Sequence, residues 1–340
     1  MVLFDCKWNP ILKLYDQIFR LESMRLIILL ALFSLTSYAL AQKIDNTASF
    51  RELVSDRYFR VNYDNDYFAA QDKNYTQGYS FELLTPALSK NPINKILLHL
   101  RNDSRRAGIA FEHIGFTPSR YERVEIQNGD RPFAAVAILK FFTISTDKES
   151  KERIVSHFSF GIMGPAAKGQ EIQTGIHKLT GDRVPLGWRN QIKNDVVVNY
   201  RVDYEKELLR RSDNFAVHAN ASVQLGSLFT NTTLGFNTTF GLLNNTYTSV
   251  NNKKFMFYGY VQPLVTAVGY DATLQGGIFV DDSVYLIPSS DVVRLVGQVN
   301  YGIVLQTKTL YLEYARAFIS KEIKTLGKAA WGGIKIGFRI

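Results

Sequence analysis

The stretch Val196-Val197-Val198-Asn199-Tyr200-Arg201-Val202-Asp203-Tyr204 alternates with a period of two. Val196, Val198, Tyr200, Val202 and Tyr204 share one face; Val197, Asn199, Arg201 and Asp203 share the other. Side chains of an extended chain point alternately to opposite sides, so this segment is a strand with one apolar and one mostly polar surface. The pattern returns at Phe215–Gln224, and at Thr309–Tyr314, where Leu310, Leu312 and Tyr314 alternate with Thr309, Tyr311 and Glu313. Beyond residue 56 it is almost continuous. Candidate strands fall near 57–68, 75–85, 107–116, 132–144, 153–163, 195–208, 214–227, 231–242, 254–268, 293–306, 308–319 and 328–340. A soluble β-sandwich or a lipocalin-like barrel also has one apolar face. A dozen strands of about ten or more residues are long for a sandwich, however. In a bilayer every backbone donor and acceptor must be paired, which closes the sheet on itself. The expected fold is therefore all-β: a transmembrane antiparallel β-barrel of about 12 strands, with a short helix in an extracellular loop. A mean hydropathy of −0.09 is too polar for a bundle of membrane helices and suits such a barrel.

Upstream, Met24-Arg25 is followed by the apolar run Leu26–Phe33 and by Ala39-Leu40-Ala41. A short basic n-region, a short h-region and an Ala-x-Ala site read as a signal peptide, shorter than the ~20 residues a membrane helix needs. Residues 1–41 are the expected leader, with a natural start near Met24 and cleavage before Gln42. Residues 42–340 form the expected barrel domain. Cleavage would remove Cys6, the one cysteine, and leave no thiol, disulfide or Cys-based metal site. It would also change the net charge from +9 to +8, by removing four basic and three acidic residues. An exported basic chain has an anionic lipid or glycolipid surface as its natural partner, rather than nucleic acid.

The alternation breaks at Lys168–Thr180, where Ile172, Ile176 and Leu179 fall at helical spacing. Gln173 and His177, four residues apart, would share a face of that helix. Polar clusters gather near predicted strand ends. They are Asn65-Asp66 with Asp72 and Asn74–Gly78; Gly129-Asp130-Arg131; and Gly169-Gln170-Glu171 with Gln173, His177 and Gly187–Gln191. Loops held by a rigid frame are where such barrels carry chemistry. By itself a single His in a polar loop is solvated more often than catalytic. Asp66 could be an ordinary lumen carboxylate, and Thr76 an ordinary β-branched strand residue. Trp188 reads as a loop anchor. His99, His113, His157 and His218 belong to no motif.

Taken in order, Asn65-Asp66, Tyr75-Thr76 with Gly78, Gly129-Asp130-Arg131, and Gly169-Gln170-Glu171 with Gln173 and His177 resemble the outer-membrane lipid A 3′-O-deacylases. The resemblance spans most of the chain beyond the leader. It implies a twelve-stranded barrel in the bacterial outer membrane, monomeric, whose substrate is lipid A or lipopolysaccharide. It implies a loop helix beside the barrel wall, with His177 as the general base that activates a water and Gln173 lining the same site. Asn65, Asp66 and Thr76 match site positions on the first two strands. A calcium ion is implied, with Asp66 as its carboxylate ligand. Arg131 is the candidate substrate contact, against a structural pairing with Asp130. The chain departs from the family pattern at Asn128, where a lysine precedes Gly-Asp-Arg. It departs again at Gly181-Asp182-Arg183, where either Arg183 replaces a glutamate or Asp182 takes over its role. Two other readings of the barrel stand beside this one. It could be a catalytically silent structural or small-solute channel, or another acyl hydrolase such as a phospholipase. The His-x-Ser-Asn-Gly signature of serine-dependent phospholipase barrels and the Gly-x-Ser-x-Gly elbow are absent.

Overall fold

The computed structural model describes Leu53, residues 55–69, 74–101, 103–244, Tyr247 and residues 255–340. The expected leader 1–41, with Cys6 and Met24, lies outside the described residues, as does Asp72.

Twelve strands close into one antiparallel barrel. In chain order they are β1 (Tyr58–Asn65), β2 (Asn74–Leu84), β3 (Ser104–Thr117), β4 (Ala134–Asp147), β5 (Glu152–Met163), β6 (Asp195–Arg211), β7 (Phe215–Gly226), β8 (Phe229–Leu242), β9 (Phe255–Asp271), β10 (Leu295–Thr307), β11 (Leu310–Ile319) and β12 (Ala329–Arg339). Each strand pairs with its sequence neighbours, and β1 closes the ring by pairing with both β2 and β12. Tyr58 stands opposite Leu84 on one side and Arg339 on the other. Each falls on an expected segment. β1 stops at Asn65 rather than continuing to 68, because Asp66–Ala69 curl into a 3-10 turn. The Asn65 side-chain oxygen accepts the Tyr67 N–H at 2.7 Å and starts that turn.

The polarity of the wall is inverted relative to a soluble protein. Val196 and Val198 are 55% and 42% exposed, whereas Val197 and Asn199, on the other face, are 1% and 2% exposed. Outward faces carry Phe111, Phe236, Phe257, Phe318 and Phe338. The lumen holds ion pairs instead. Arg60 Nη2 donates to both oxygens of Glu82 at 3.0 and 2.9 Å. Lys140 meets Glu112 at 2.6 Å, and Lys335 meets Glu313 at 3.5 Å. A buried charge persists only when compensated in this way. A cavity of about 70 Å³ remains in the lumen, bounded by Glu112, Lys140, His157, Arg201 and Trp331 among others. An apolar exterior over a charged interior is the arrangement a bilayer demands, and it disposes of the soluble-sandwich alternative.

At the end of the barrel away from Tyr58 and Arg339, the connections are 66–73, 118–133, 164–194, 227–228, 272–294 and 320–328. The 164–194 connection carries the loop helix, Gly169–Thr180, one residue shorter than expected.

Candidate active site

Ile138 and Lys140 line the lumen cavity, so by alternation Ala135 and Ala137 of β4 face outward. The loop helix is seated on that outer surface. A Cβ added at Gly169 would lie 2.4 Å from the Ala135 Cβ and 2.6 Å from the Trp188 ring, so only glycine permits this approach. Phe133, Ala135, Ala167, Trp188 and Tyr121 form a small apolar core between wall and loops. His113, on β3, stacks on Tyr79 at 4.9 Å and bonds through Nε2 to the Ala167 carbonyl at 2.9 Å. It ties the turn preceding the helix to the wall.

The helix turns its polar side inward. Gln173 and His177 are buried, while Leu179 is 89% exposed. Of the apolar positions that betrayed the helix in the sequence, Leu179 thus looks away from the protein, and Ile172 and Ile176 are half-buried at its flanks. Trp188 Nε1 donates to Gln173 Oε1 at 2.6 Å, both side chains being buried. His177 Nδ1 lies 2.6 Å from the Arg183 carbonyl oxygen, and the Tyr121 ring meets the imidazole edge-on at 5.2 Å and 85°. The return of the chain to His177 is produced by Gly181, whose φ of 74° ends the helix in a left-handed cap. The Asp182 N–H then bonds back to the His177 carbonyl at 2.9 Å, and the Asp182 side chain accepts the Arg183 N–H at 2.7 Å. Arg183 therefore serves His177 through its main chain, and Asp182 shapes the turn.

A second group sits on β1 and β2. Asn65 is opposite both Gln77 and Gly332, and its amide also donates to the Tyr63 hydroxyl at 3.2 Å. Asp66, 3% exposed, opens the 3-10 turn. Thr76 occupies a β-bulge: Tyr75 faces Phe116 and Gln77 faces Gly115, leaving Thr76 as the extra residue. Bulges re-aim side chains beside active sites. Here the Thr76 hydroxyl is hydrogen-bonded to that of Thr117 on β3. Asn65, Asp66 and Thr76 thus gather at the mouth of the β1–β2 hairpin. Gln173 and His177 gather on the helix over β4, with β3 between the two groups.

Among the described residues no cluster of three or more His, Cys, Asp or Glu could hold a metal ion. The side-chain donors at these strand ends include the Asp66 carboxylate and the mutually bonded Thr76 and Thr117 hydroxyls, all oxygens. That set suits a hard, oxygen-preferring cation and not a thiolate- or imidazole-bound one.

Arg131 is placed elsewhere. Its guanidinium lies 3.9 Å over the Phe116 ring, donates to Thr273 Oγ1 at 2.6 Å and is paired with Glu322. Asp130, the expected ionic partner, instead accepts the backbone N–H groups of Arg131 at 2.7 Å and Ser119 at 2.9 Å. Burial pushes the Glu322 carboxyl up to about 7, against the opposing pull of Arg131. His157 and His218 face Asp203 and Asn237 in the lumen. Tyr121, Thr117 and the Arg183 carbonyl had no signal in the sequence, because their roles arise from loop closure and not from spacing.

A family model described as "Outer membrane protein LpxR" matches residues 26–340. Among solved structures, LpxR from Salmonella typhimurium is similar with a TM-score of 0.67 at 16% identity, over 83% of this chain and 100% of that one. At that identity the likeness is one of fold. The β domain of the Bordetella autotransporter BrkA matches at a TM-score of 0.43 and 8% identity, over 84% and 99% of the two chains. The transport unit of AIDA-I from Escherichia coli matches at 0.40 and 8%, over 87% and 94%. Comparison with curated proteins finds no match.

Proposed function

Since this outer-membrane chain belongs to the family of the outer membrane protein LpxR, we propose that it is a lipid A deacylase that hydrolyses a 3′-linked acyl ester by attack of a histidine-activated water. The observation that carries the reading is the 2.6 Å contact between His177 Nδ1 and the Arg183 carbonyl. A carbonyl oxygen only accepts, so Nδ1 carries a proton, and in the neutral imidazole Nε2 then keeps its lone pair. A neutral imidazole held in that tautomer takes a proton from water as the water oxygen bonds to the ester carbon. The carbon–oxygen bond to the sugar then breaks, and the proton held on Nε2 passes to the departing alkoxide. The products are a free fatty acid and a sugar hydroxyl. The edge contact with Tyr121 fixes the plane of the ring, and Gln173 lies one turn earlier on the same buried face of the helix.

Asp66 would hold the calcium ion together with carbonyl oxygens, with Asn65 and Thr76 shaping that end of the site. Bound there, the ion would polarise the ester carbonyl. Arg131, engaged by Glu322 and Thr273, acts in this reading as a structural pin between loops, with Glu322 in the place expected for Asp130, rather than as the candidate substrate contact. The test is fatty-acid release from lipopolysaccharide by the purified, detergent-solubilised protein. Release by the wild type and none by His177→Ala is expected. No release by the wild type overturns the reading, and release from glycerophospholipid alone would make the protein a phospholipase.

A further inference from the structure

Trp188 is held more tightly than a loop anchor needs to be. Its ring is threaded beneath the start of the loop helix, 5.0 Å from Phe133, through space that two glycines leave open. A Cβ at Gly169 would strike the indole, and one at Gly187 would lie 2.3 Å from the Phe133 ring. The indole thus has one orientation, and in it Nε1–H is directed at Gln173 Oε1 at 2.6 Å. Trp188 and Gln173 are each 1% exposed.

An indole N–H can only donate. It therefore selects which end of the Gln173 amide faces it. The oxygen must, because the flipped amide would set N–H against N–H. With the oxygen committed, the NH₂ group projects from the opposite side of the amide. Gln173 Nε2 is buried and has no hydrogen-bond partner. Leaving such a donor unsatisfied costs about 1–3 kcal/mol, and a catalytic role is one of the few reasons a buried site keeps one. Gln173 precedes His177 by one turn on the same helix face.

We propose that Trp188 is a positioning residue that locks the Gln173 amide with its NH₂ group left unpaired on the helix face it shares with His177, where it receives the negative oxygen of the tetrahedral intermediate. This rests on the ester-hydrolase reading above. As water adds to the carbonyl carbon, the carbonyl π pair moves onto oxygen. A preset N–H donor is worth most at that moment, because nothing has to reorient.

The test is a double-mutant cycle on the full-length protein, using lipopolysaccharide as substrate. Trp188→Phe keeps an aromatic side chain but removes the N–H together with part of the indole volume, so the comparison of its effect with and without Gln173 isolates the hydrogen bond. The substitution should lower kcat by about 10- to 100-fold with little change in KM, short of the ~10²–10³-fold typical of deleting an oxyanion donor outright. Gln173→Ala should show that larger loss. In the Gln173→Ala background, Trp188→Phe should add nothing further. Gln173→Glu, which still accepts from Trp188 but offers no N–H, should resemble Gln173→Ala. Equal losses from Trp188→Phe in both backgrounds would overturn the proposal, and so would no loss in either. A second readout does not depend on activity: hydrogen exchange at the Trp188 indole N–H, its resonance assigned by its disappearance in Trp188→Phe. Protection in the wild type that is lost in Gln173→Ala supports the clamp. Protection unchanged by Gln173→Ala contradicts it. A wild type that releases no fatty acid would sink the esterase reading, and the exchange measurement would still decide the clamp.

Discussion

In the proposed reaction His177 needs two ring nitrogens with different tasks, and a contact to one orients the other. A main-chain carbonyl at 2.6 Å holds Nδ1, so the identity of the side chain at 183 has little bearing on the tautomer. That explains how the departure from the family pattern at Arg183 can be tolerated: the contact needs a carbonyl, which every residue has. His177→Asn separates orientation from chemistry, because an amide can still donate to the Arg183 carbonyl but cannot take up a proton. Deacylation by His177→Asn should fall by ~10²–10⁴-fold, the usual cost of losing a general base, with assembly unchanged. Asp66 invites a parallel experiment. Asp66→Ala should remove both the activity and its stimulation by calcium, and chelation of the wild type should mimic it. Full activity of Asp66→Ala in excess chelator would exclude a metal at this position.

The loop helix is the element on which the site turns, and it was half legible. Ile172, Ile176 and Leu179 gave away its existence and extent, and the spacing of Gln173 and His177 gave their shared face. The sequence could not say which face is buried. Hydrophobic spacing on a soluble protein would have put Ile172, Ile176 and Leu179 inward, whereas here Gln173 and His177 are the buried positions, the isoleucines are half-buried and Leu179 is exposed. The bulge at Thr76 was also hidden, since one extra residue leaves the local alternation almost undisturbed and shows only in the register against β3. The seat of the helix can be tested through Gly169. Gly169→Val would drive a side chain into Ala135 of β4 and Trp188, lifting the helix off the wall while leaving the sequence of every barrel strand unchanged. Such a variant should still assemble, as judged by the gel shift between unheated and boiled samples, while losing at least ~10-fold in deacylation from misplacement alone. Retention of full activity would mean that the helix need not sit where it does.

Across the whole molecule, the barrel was legible because period-two alternation is a property of every strand, repeated twelve times. The lumen network was not, because it joins residues far apart in the chain, such as Lys151 with Glu207 at 3.0 Å and Tyr260 with Glu313 at 2.8 Å. Contacts of this kind, with lumen ion pairs such as Arg60–Glu82 and Lys140–Glu112, occupy the interior, and proteoliposomes should therefore show no sugar-driven swelling. Swelling at porin-like rates would revive the channel reading. The loop end carries its own pH dependence. Glu322 holds a proton up to about 7 in the folded chain, against an ordinary 4.5. Between those values the unfolded chain has released a proton that the folded chain keeps, so stability falls as pH rises through that window. The temperature at which the compact gel form is lost should decrease from about pH 4.5 to 7, and Glu322→Gln should flatten the trend. A rise in that temperature over the same interval would contradict the burial of Glu322 as described.

The most direct measurement on the proposed activity is mass spectrometry of lipid A from cells producing the wild type, His177→Ala, or no protein at matched surface levels. Lipid A from wild-type cells should lose the mass of the acyl group at the 3′ position, and lipid A from the other two should remain intact. Identical lipid A in all three, or the same loss with His177→Ala as with the wild type, would contradict the assignment of this barrel as a His177-dependent deacylase.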